Sequence, residues 1–166
     1  EEEIFNLSDL FKSWDNKLAL NNKIRVEANT NSWSQLLDVN NDPLINPPWG
    51  EIIKMNLLTG KIEWKKPLGS RIVDGKDKQI GTPNFGGVAL NNAGLIFATG
   101  HDDGKAYILS QDNGDILWEY KMEAAGSAPP TLFKINGKEY VVFLSTGGGY
   151  HNYKEKSSTL YVFGIE

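Results

Sequence analysis

Two tryptophans at one fixed offset constrain this chain more than any other feature. Leu58-Thr59-Gly60 followed by Lys61-Ile62-Glu63-Trp64 recurs as Asp112-Asn113-Gly114 followed by Asp115-Ile116-Leu117-Trp118. Gly60 thus aligns with Gly114, Ile62 with Ile116 and Trp64 with Trp118, each 54 residues apart. A strand-like run precedes each turn, Glu51 to Asn56 in one case and Lys105 to Ser110 in the other. A repeat of this length with four short strands per unit is a β-propeller signature. Each blade of such a fold is a twisted sheet that cannot bury both faces alone. A large aromatic at a fixed place in the outer strand fills the space between neighbouring blades.

The middle unit is complete. Gly87 to Asn91, Gly94 to Gly100, Lys105 to Ser110 and Asp115 to Lys121 supply four strands, joined by turns at Asn92-Ala93-Gly94, Asp102-Asp103-Gly104 and Asp112-Asn113-Gly114. The last unit offers three strands, Thr131 to Ile135, Lys138 to Ser145 and Thr159 to Ile165, and the first only its outer two, Glu51 to Asn56 and Lys61 to Pro67. Blades are therefore expected at about 47–69, 82–122 and 127–166. Residues 1–46 form a separate, irregular segment rich in asparagine, with a possible short helix over 7–14 and a possible strand over 23–28. The expected fold is all-β, a partial propeller of two to three four-stranded antiparallel blades. A closed propeller has about 4–8 blades. The end blades should be covered by the rest of a propeller, by self-association or by strands from residues 1–46, because bare faces and strand edges invite pairing.

Composition removes several functions. The net charge is −4 with no basic run, so a nucleic-acid partner is not expected. There is no cysteine and there are only two histidines, which excludes disulfides, thiolate metal sites and covalent c-type haem in these residues. The longest apolar stretch, Tyr140 to Leu144, is far below the ~20 residues of a membrane span. Glu1-Glu2-Glu3 is acidic where a secretory leader is basic, so no leader is expected here.

Several segments together resemble the C-terminal part of the PQQ-dependent quinoprotein sugar dehydrogenases of the membrane glucose dehydrogenase type. They are Pro47-Pro48-Trp49-Gly50, the Met55 to Trp64 hairpin, Gly81-Thr82-Pro83-Asn84-Phe85-Gly86-Gly87, Gly94-Leu95-Ile96-Phe97 and Gly137-Lys138-Glu139-Tyr140-Val141-Val142. The resemblance runs from about Trp33 to the C-terminus. It implies an eight-bladed, periplasmic propeller, membrane-associated if at all through a segment not present here, that holds PQQ and Ca²⁺ near its axis. It further implies oxidation of a sugar or alcohol with electrons passed to ubiquinone. The catalytic aspartate and calcium ligands would lie upstream, so no catalytic or metal-binding residue is assigned on this chain. The isolated chain is expected to be inactive and to bind no PQQ. The alternative reading is a cofactor-free propeller of the same repeat that serves as a protein-binding scaffold.

The resemblance places Asn84 and Phe85 on the lead-in to an innermost strand, as the candidate cofactor contacts. An amide can hydrogen-bond quinone or carboxylate oxygens, and an aromatic ring can pack beside the cofactor. The bland reading is that Asn84 and Gly86-Gly87 only shape the loop. His101-Asp102-Asp103 followed by Gly104 reads as a hairpin turn rather than a metal or acid–base cluster. Gly147-Gly148-Gly149-Tyr150-His151 lacks the context of a phosphate loop; it is family-like as a loop beside the substrate mouth, with His151 a conceivable substrate contact. Trp49, Trp64 and Trp118 are expected to be structural, and Trp14 and Trp33 have no assignable role. Trp64 and Trp118 should occupy equivalent strand positions and be largely buried. The turns at Gly60, Gly114 and Gly137 should be two-residue connections with positive φ at the glycines, and helix should be scarce after residue 50.

Overall fold

The computed structural model describes residues 36–39, 43–73, 75–147 and 155–165. The chain divides into two compact units, Glu1–Asn46 and Pro47–Glu166. The described part of the first is a small loop in which Leu37 bridges Pro43 antiparallel and the Leu44 N–H donates to the Leu36 carbonyl at 3.0 Å. The helix expected over 7–14, the strand over 23–28, Trp14, Trp33, Tyr150 and His151 lie outside the described residues.

Among the described residues, every regular element of the second unit is a strand. Blade 2 is a four-stranded antiparallel sheet of β5 (Val88–Leu90), β6 (Leu95–Ala98), β7 (Lys105–Ser110) and β8 (Ile116–Lys121), ordered as in the sequence. Blade 1 consists of β1 (Glu51–Met55) and β2 (Ile62–Pro67). An additional hairpin follows, β3 (Arg71–Val73) and β4 (Lys76–Lys78). Blade 3 has β9 (Thr131–Ile135), β10 (Lys138–Gly147) and β11 (Lys156–Ile165), with β10 in the middle.

The repeat extends to the hydrogen-bond register. In blade 1 Lys54 pairs with Trp64, and the next pair is Met55 with Ile62. In blade 2 Ile108 pairs with Trp118, and the next is Leu109 with Ile116. A bulge thus falls at the same step in both outer hairpins, leaving Glu63 and Leu117 as the extra residues. The two tryptophans hold equivalent strand positions, as the alignment requires.

Their turns differ from the two-residue form expected. In each outer hairpin four residues, Leu57–Gly60 or Gln111–Gly114, separate the last bonded pair. Asn56 N–H donates to the Lys61 carbonyl at 2.9 Å, and Ser110 N–H to the Asp115 carbonyl at 2.9 Å. The glycine N–H closes the loop onto a carbonyl four residues back, Gly60 to Asn56 at 2.8 Å and Gly114 to Ser110 at 2.9 Å. This needs the left-handed conformation that Gly60 (φ 67°) and Gly114 (φ 72°) adopt. Of the three turns expected to be two-residue connections, Asn136-Gly137 (φ 50° and 82°) alone is one, with both central residues at positive φ as in a type I′ turn.

Trp64 and Trp118 are partly buried, each packed against a core cluster. Each lies on an outer strand at the border between its own blade and the next. The core consists of two clusters between blades. Between blades 1 and 2, Trp64, Ile52 and Leu68 pack on Ile96, Ala98, Tyr107 and Leu109. Between blades 2 and 3, Trp118, Ala106 and Met122 pack with Val141, Phe143, Tyr161 and Phe163.

Candidate functional site

The lead-in to β5 is fixed by backbone contacts that only glycine allows. Asn84 forms an isolated antiparallel bridge with His101, and Phe85 N–H donates to the Gly100 carbonyl at 3.1 Å. A Cβ on Gly86 would lie 2.3 Å from the Thr99 carbonyl oxygen, and one on Gly100 would lie 2.1 Å from Gly86 N and 2.9 Å from the Gly126 oxygen. Three backbone segments therefore meet at this point, drawn from the lead-ins to two blades and the end of β6.

Within this frame the Asn84 amide is already engaged. Its Nδ2 donates to the Thr99 carbonyl at 2.7 Å and to His101 Nε2 at 3.0 Å, and its Oδ1 accepts the Gly87 N–H at 3.1 Å. Both amide hydrogens are spent within the protein, so what remains for a ligand is acceptor capacity on Oδ1. The Asn84 contact also makes Nε2 of His101 an acceptor, which puts the proton of a neutral ring on Nδ1. His101 is buried, and its ring meets Tyr107 edge-on at 5.5 Å. Phe85 is different: the residue is 47% exposed and offers an apolar surface at the loop.

The turn after β6 is closed by the Gly104 N–H donating to the His101 carbonyl at 2.9 Å, which is the hairpin geometry its sequence suggests. Asp103 has a role that the sequence does not announce. Its Oδ2 accepts the Ser70 N–H at 2.7 Å and the Tyr107 hydroxyl, and its Oδ1 accepts the Lys105 N–H at 2.9 Å. Burial, reinforced by the Asp103 charge, pushes the Tyr107 phenol far above its usual range. Ser70 is 33 residues away, so no local motif could have revealed this link. The β3–β4 hairpin was equally unforeseen, although Asp74-Gly75 is the type of dipeptide that joins strands.

Beside Asp103 lies a cleft of about 470 Å³ lined by residues that include Arg71, Asp77, Asp102, Lys105 and Lys121. Lys105 Nζ lies 2.9 Å from Asp77 Oδ2 and 3.0 Å from Glu119 Oε1, and Lys121 Nζ donates to the Asp103 carbonyl. Burial pushes the Lys105 pKa down, but the two carboxylates more than offset this, so the net shift is upward. The Lys105 hydrogen bond is the main cause that lowers Asp77. The Arg71 guanidinium sits 5.4 Å above the Trp49 ring. The cleft is an ion-paired joint between the β3–β4 hairpin and blade 2.

Against known families, residues 9–141 match the model described as the glucose/ethanol/alcohol dehydrogenase β-propeller domain of the PQQ type. The chain belongs to this family. Quinoprotein glucose dehydrogenase A of Acinetobacter calcoaceticus is 31% identical over 113 residues, which is 64% of this chain and 14% of that protein. The glycerol dehydrogenase large subunit of Gluconobacter thailandicus is also 31% identical over 113 residues, covering 63% of this chain and 15% of the subunit. The quinohemoprotein alcohol dehydrogenase of Comamonas testosteroni superposes with a TM-score of 0.55 at 19% identity, over 76% of this chain and 18% of that one. The chain is thus a partial quinoprotein propeller, spanning about a seventh of the length of these relatives.

PQQ is a planar, polycarboxylated quinone, so its site needs an apolar wall and unspent donors. Phe85 fits the first requirement, whereas the Asn84 N–H groups do not meet the second. Among the described residues no group of three or more His, Cys, Asp or Glu could hold a metal ion, so calcium does not fit these residues.

Proposed function

We propose that this chain is the C-terminal propeller segment of a PQQ- and calcium-dependent dehydrogenase that oxidises a sugar or alcohol in the periplasm and passes electrons to a quinone. The observation that carries this reading is the family match over residues 9–141. The relatives named for glucose and glycerol support the substrate class. PQQ when bound supplies the hydride acceptor of the reaction. The part of this chain is to close one flank of the cofactor pocket. Phe85 lays its ring against the cofactor edge and keeps water from it, while Asn84 and His101 hold the loop that carries Phe85. Catalytic aspartate and metal ligands come from polypeptide upstream of these 166 residues, which alone bind no PQQ and turn over no substrate.

The test is reconstitution of the full-length polypeptide. The apoprotein is titrated with PQQ, with and without Ca²⁺, and assayed on a panel of sugars and alcohols with a soluble ubiquinone analogue. Quinone reduction that requires both PQQ and Ca²⁺ is the expected result. Failure of the full-length protein to take up PQQ in the presence of Ca²⁺ overturns the reading. For Phe85, the Phe85→Ala protein should bind PQQ at least ~10-fold more weakly, the loss expected when a large aromatic contact is removed. Unchanged affinity removes Phe85 from the pocket. Osmotic-shock fractionation of the native host tests the compartment, and recovery in the cytoplasmic fraction contradicts a periplasmic site.

A further inference from the structure

The chain contains two Asn-Gly pairs, Asn113-Gly114 between β7 and β8 and Asn136-Gly137 between β9 and β10. Such a pair carries its own chemistry. Once the glycine nitrogen gives up its proton to solvent base, it attacks the side-chain carbonyl carbon of the asparagine. A C–N bond forms, the C–NH₂ bond breaks and ammonia leaves. Water then opens the five-membered imide at either carbonyl, giving aspartate or isoaspartate with no change of oxidation state. Glycine favours the attack because no side chain shields its nitrogen or stiffens its backbone.

The structure treats the two pairs differently. At Asn113 every participant is held. Gly114 N–H donates to the Ser110 carbonyl at 2.9 Å. Asn113 Nδ2 donates to Asp115 Oδ2 at 2.7 Å, and its Oδ1 accepts the Asp115 N–H at 3.0 Å. The Trp64 ring covers Gly114 so closely that a Cβ there would lie 2.7 Å from Cζ3. Asp112 and Asp115 flank the pair, and their charges oppose the amide anion that must form. At Asn136 these restraints are missing. Asn136 and Gly137 are both exposed, and among the described residues no hydrogen bond holds the Gly137 N–H or the Asn136 amide. A Cβ on Gly137 would meet nothing within 4 Å, so the imide has room to close. The next residue is Lys138, whose charge favours the anion.

We infer that Asn136 is a site of spontaneous modification, converted by water to aspartate and isoaspartate through the imide, while the fold protects Asn113. The place matters for blade 3. Isoaspartate lengthens the backbone of the tight connection that sets the β9–β10 register. It also adds a carboxylate to the hairpin that carries Glu139, whose Oε2 accepts the Asn91 amide of blade 2 at 2.9 Å. The inference does not depend on the cofactor.

The second pair makes the test internally controlled. The full-length polypeptide is incubated folded, and in parallel in urea, at mildly alkaline pH. Samples taken over time are digested in mild acid and mapped by mass spectrometry, with fragmentation that separates aspartate from isoaspartate. In the folded protein Asn136 should convert at least ~10-fold faster than Asn113, because the hydrogen bonds at Asn113 must open first. Both products should appear at Asn136, and the gap between the two sites should narrow in urea. Equal rates in the folded protein, or an Asn136 that stays intact there while it reacts in urea, would overturn the inference. So would aspartate without isoaspartate at Asn136, or a gap that is as wide in urea as in the folded protein.

Discussion

The two joints between blades solve one problem with different chemistry. Where blade 1 meets blade 2, Trp64 rests on backbone: its N–H bonds the Gln111 carbonyl and its ring lies on Gly114. Polar links surround it, with Lys66 bonded to Asp115 and Asp103 bonded to Ser70 N–H. Where blade 2 meets blade 3, Trp118 meets Phe163 edge-on at 5.0 Å and stacks on Tyr120 at 5.8 Å, while Tyr120 contacts Tyr161 at 5.4 Å. The difference follows from what each neighbour offers. Blade 2 presents a complete outer hairpin whose turn carries a glycine and an accessible carbonyl. Blade 3 ends at β11 among the described residues, so Trp118 finds side chains where Trp64 finds a turn. The tryptophan is the constant, and its seat varies with the strands available.

The largest effect should come from the aromatic joint. Phe143 is fully buried between Phe163 and the blade 2 residues. Phe143→Ala should lower stability by about 3–5 kcal/mol, as expected for a deleted buried aromatic, read as a shift in the urea midpoint. A loss below ~1 kcal/mol would mean that blade 3 does not depend on this contact for its attachment.

The sequence made the repeat legible because it is written in local chemistry. Glycine at a left-handed turn and tryptophan four residues later occur in both outer hairpins, and that spacing fixes strand, bulge and face together. The strands of blades 2 and 3 followed from alternation and from turns at Gly94, Gly114 and Gly137. The charged β3–β4 hairpin escaped, because Lys76-Asp77-Lys78 has no apolar alternation to mark it. The turn lengths at Gly60 and Gly114 escaped for another reason: glycine serves both two-residue and four-residue loops, and only the hydrogen-bond partner distinguishes them. At the candidate site, the motif around Asn84 and Phe85 was visible, but the engagement of the Asn84 amide by Thr99 and His101 depends on contacts 15 and 17 residues away.

A smaller effect compares the two equivalent glycines directly. At Gly60 a methyl group meets open space, so Gly60→Ala costs only the left-handed backbone penalty of about 1–2 kcal/mol. At Gly114 the same methyl would press on the Trp64 ring, and overpacking adds about 1–3 kcal/mol. Chemical denaturation of these 166 residues should therefore rank Gly114→Ala as clearly the more damaging. Equal losses would show that Trp64 does not cover Gly114 in solution. A milder change, Trp64→Phe, removes the N–H to Gln111 while keeping an aromatic ring, and should cost about 1 kcal/mol. Trp118→Phe, whose described contacts are aromatic and apolar, should cost less by the same assay. The reverse order would contradict the division into a backbone-seated and an aromatic joint.

The smallest effect concerns the ion pairs beside the first joint and their dependence on pH. Lys105 holds the Asp77 carboxyl below its ordinary value of 3.8. A carboxylate lowered on folding contributes stability above its unfolded pKa and loses it as pH falls through the folded value. Lys105 is raised above 10.5, so its share is fully present below that pH and lost as pH rises through the folded value. The pair therefore stabilises across a plateau between these limits and fades at either end. Asp77 is about half exposed, with a side-chain exposure of 48%, so solvent screening keeps its contribution below about 1 kcal/mol. Asp77→Asn should consequently lower the melting temperature slightly at neutral pH, with a deficit that shrinks as pH falls below 3.8 and through the lowered folded value. High salt should shrink the neutral-pH difference. Thermal melts across pH read this out, and a mutant whose deficit did not shrink at all as the pH was lowered into acid would show that Asp77 acts through packing or neutral hydrogen bonds rather than through its charge.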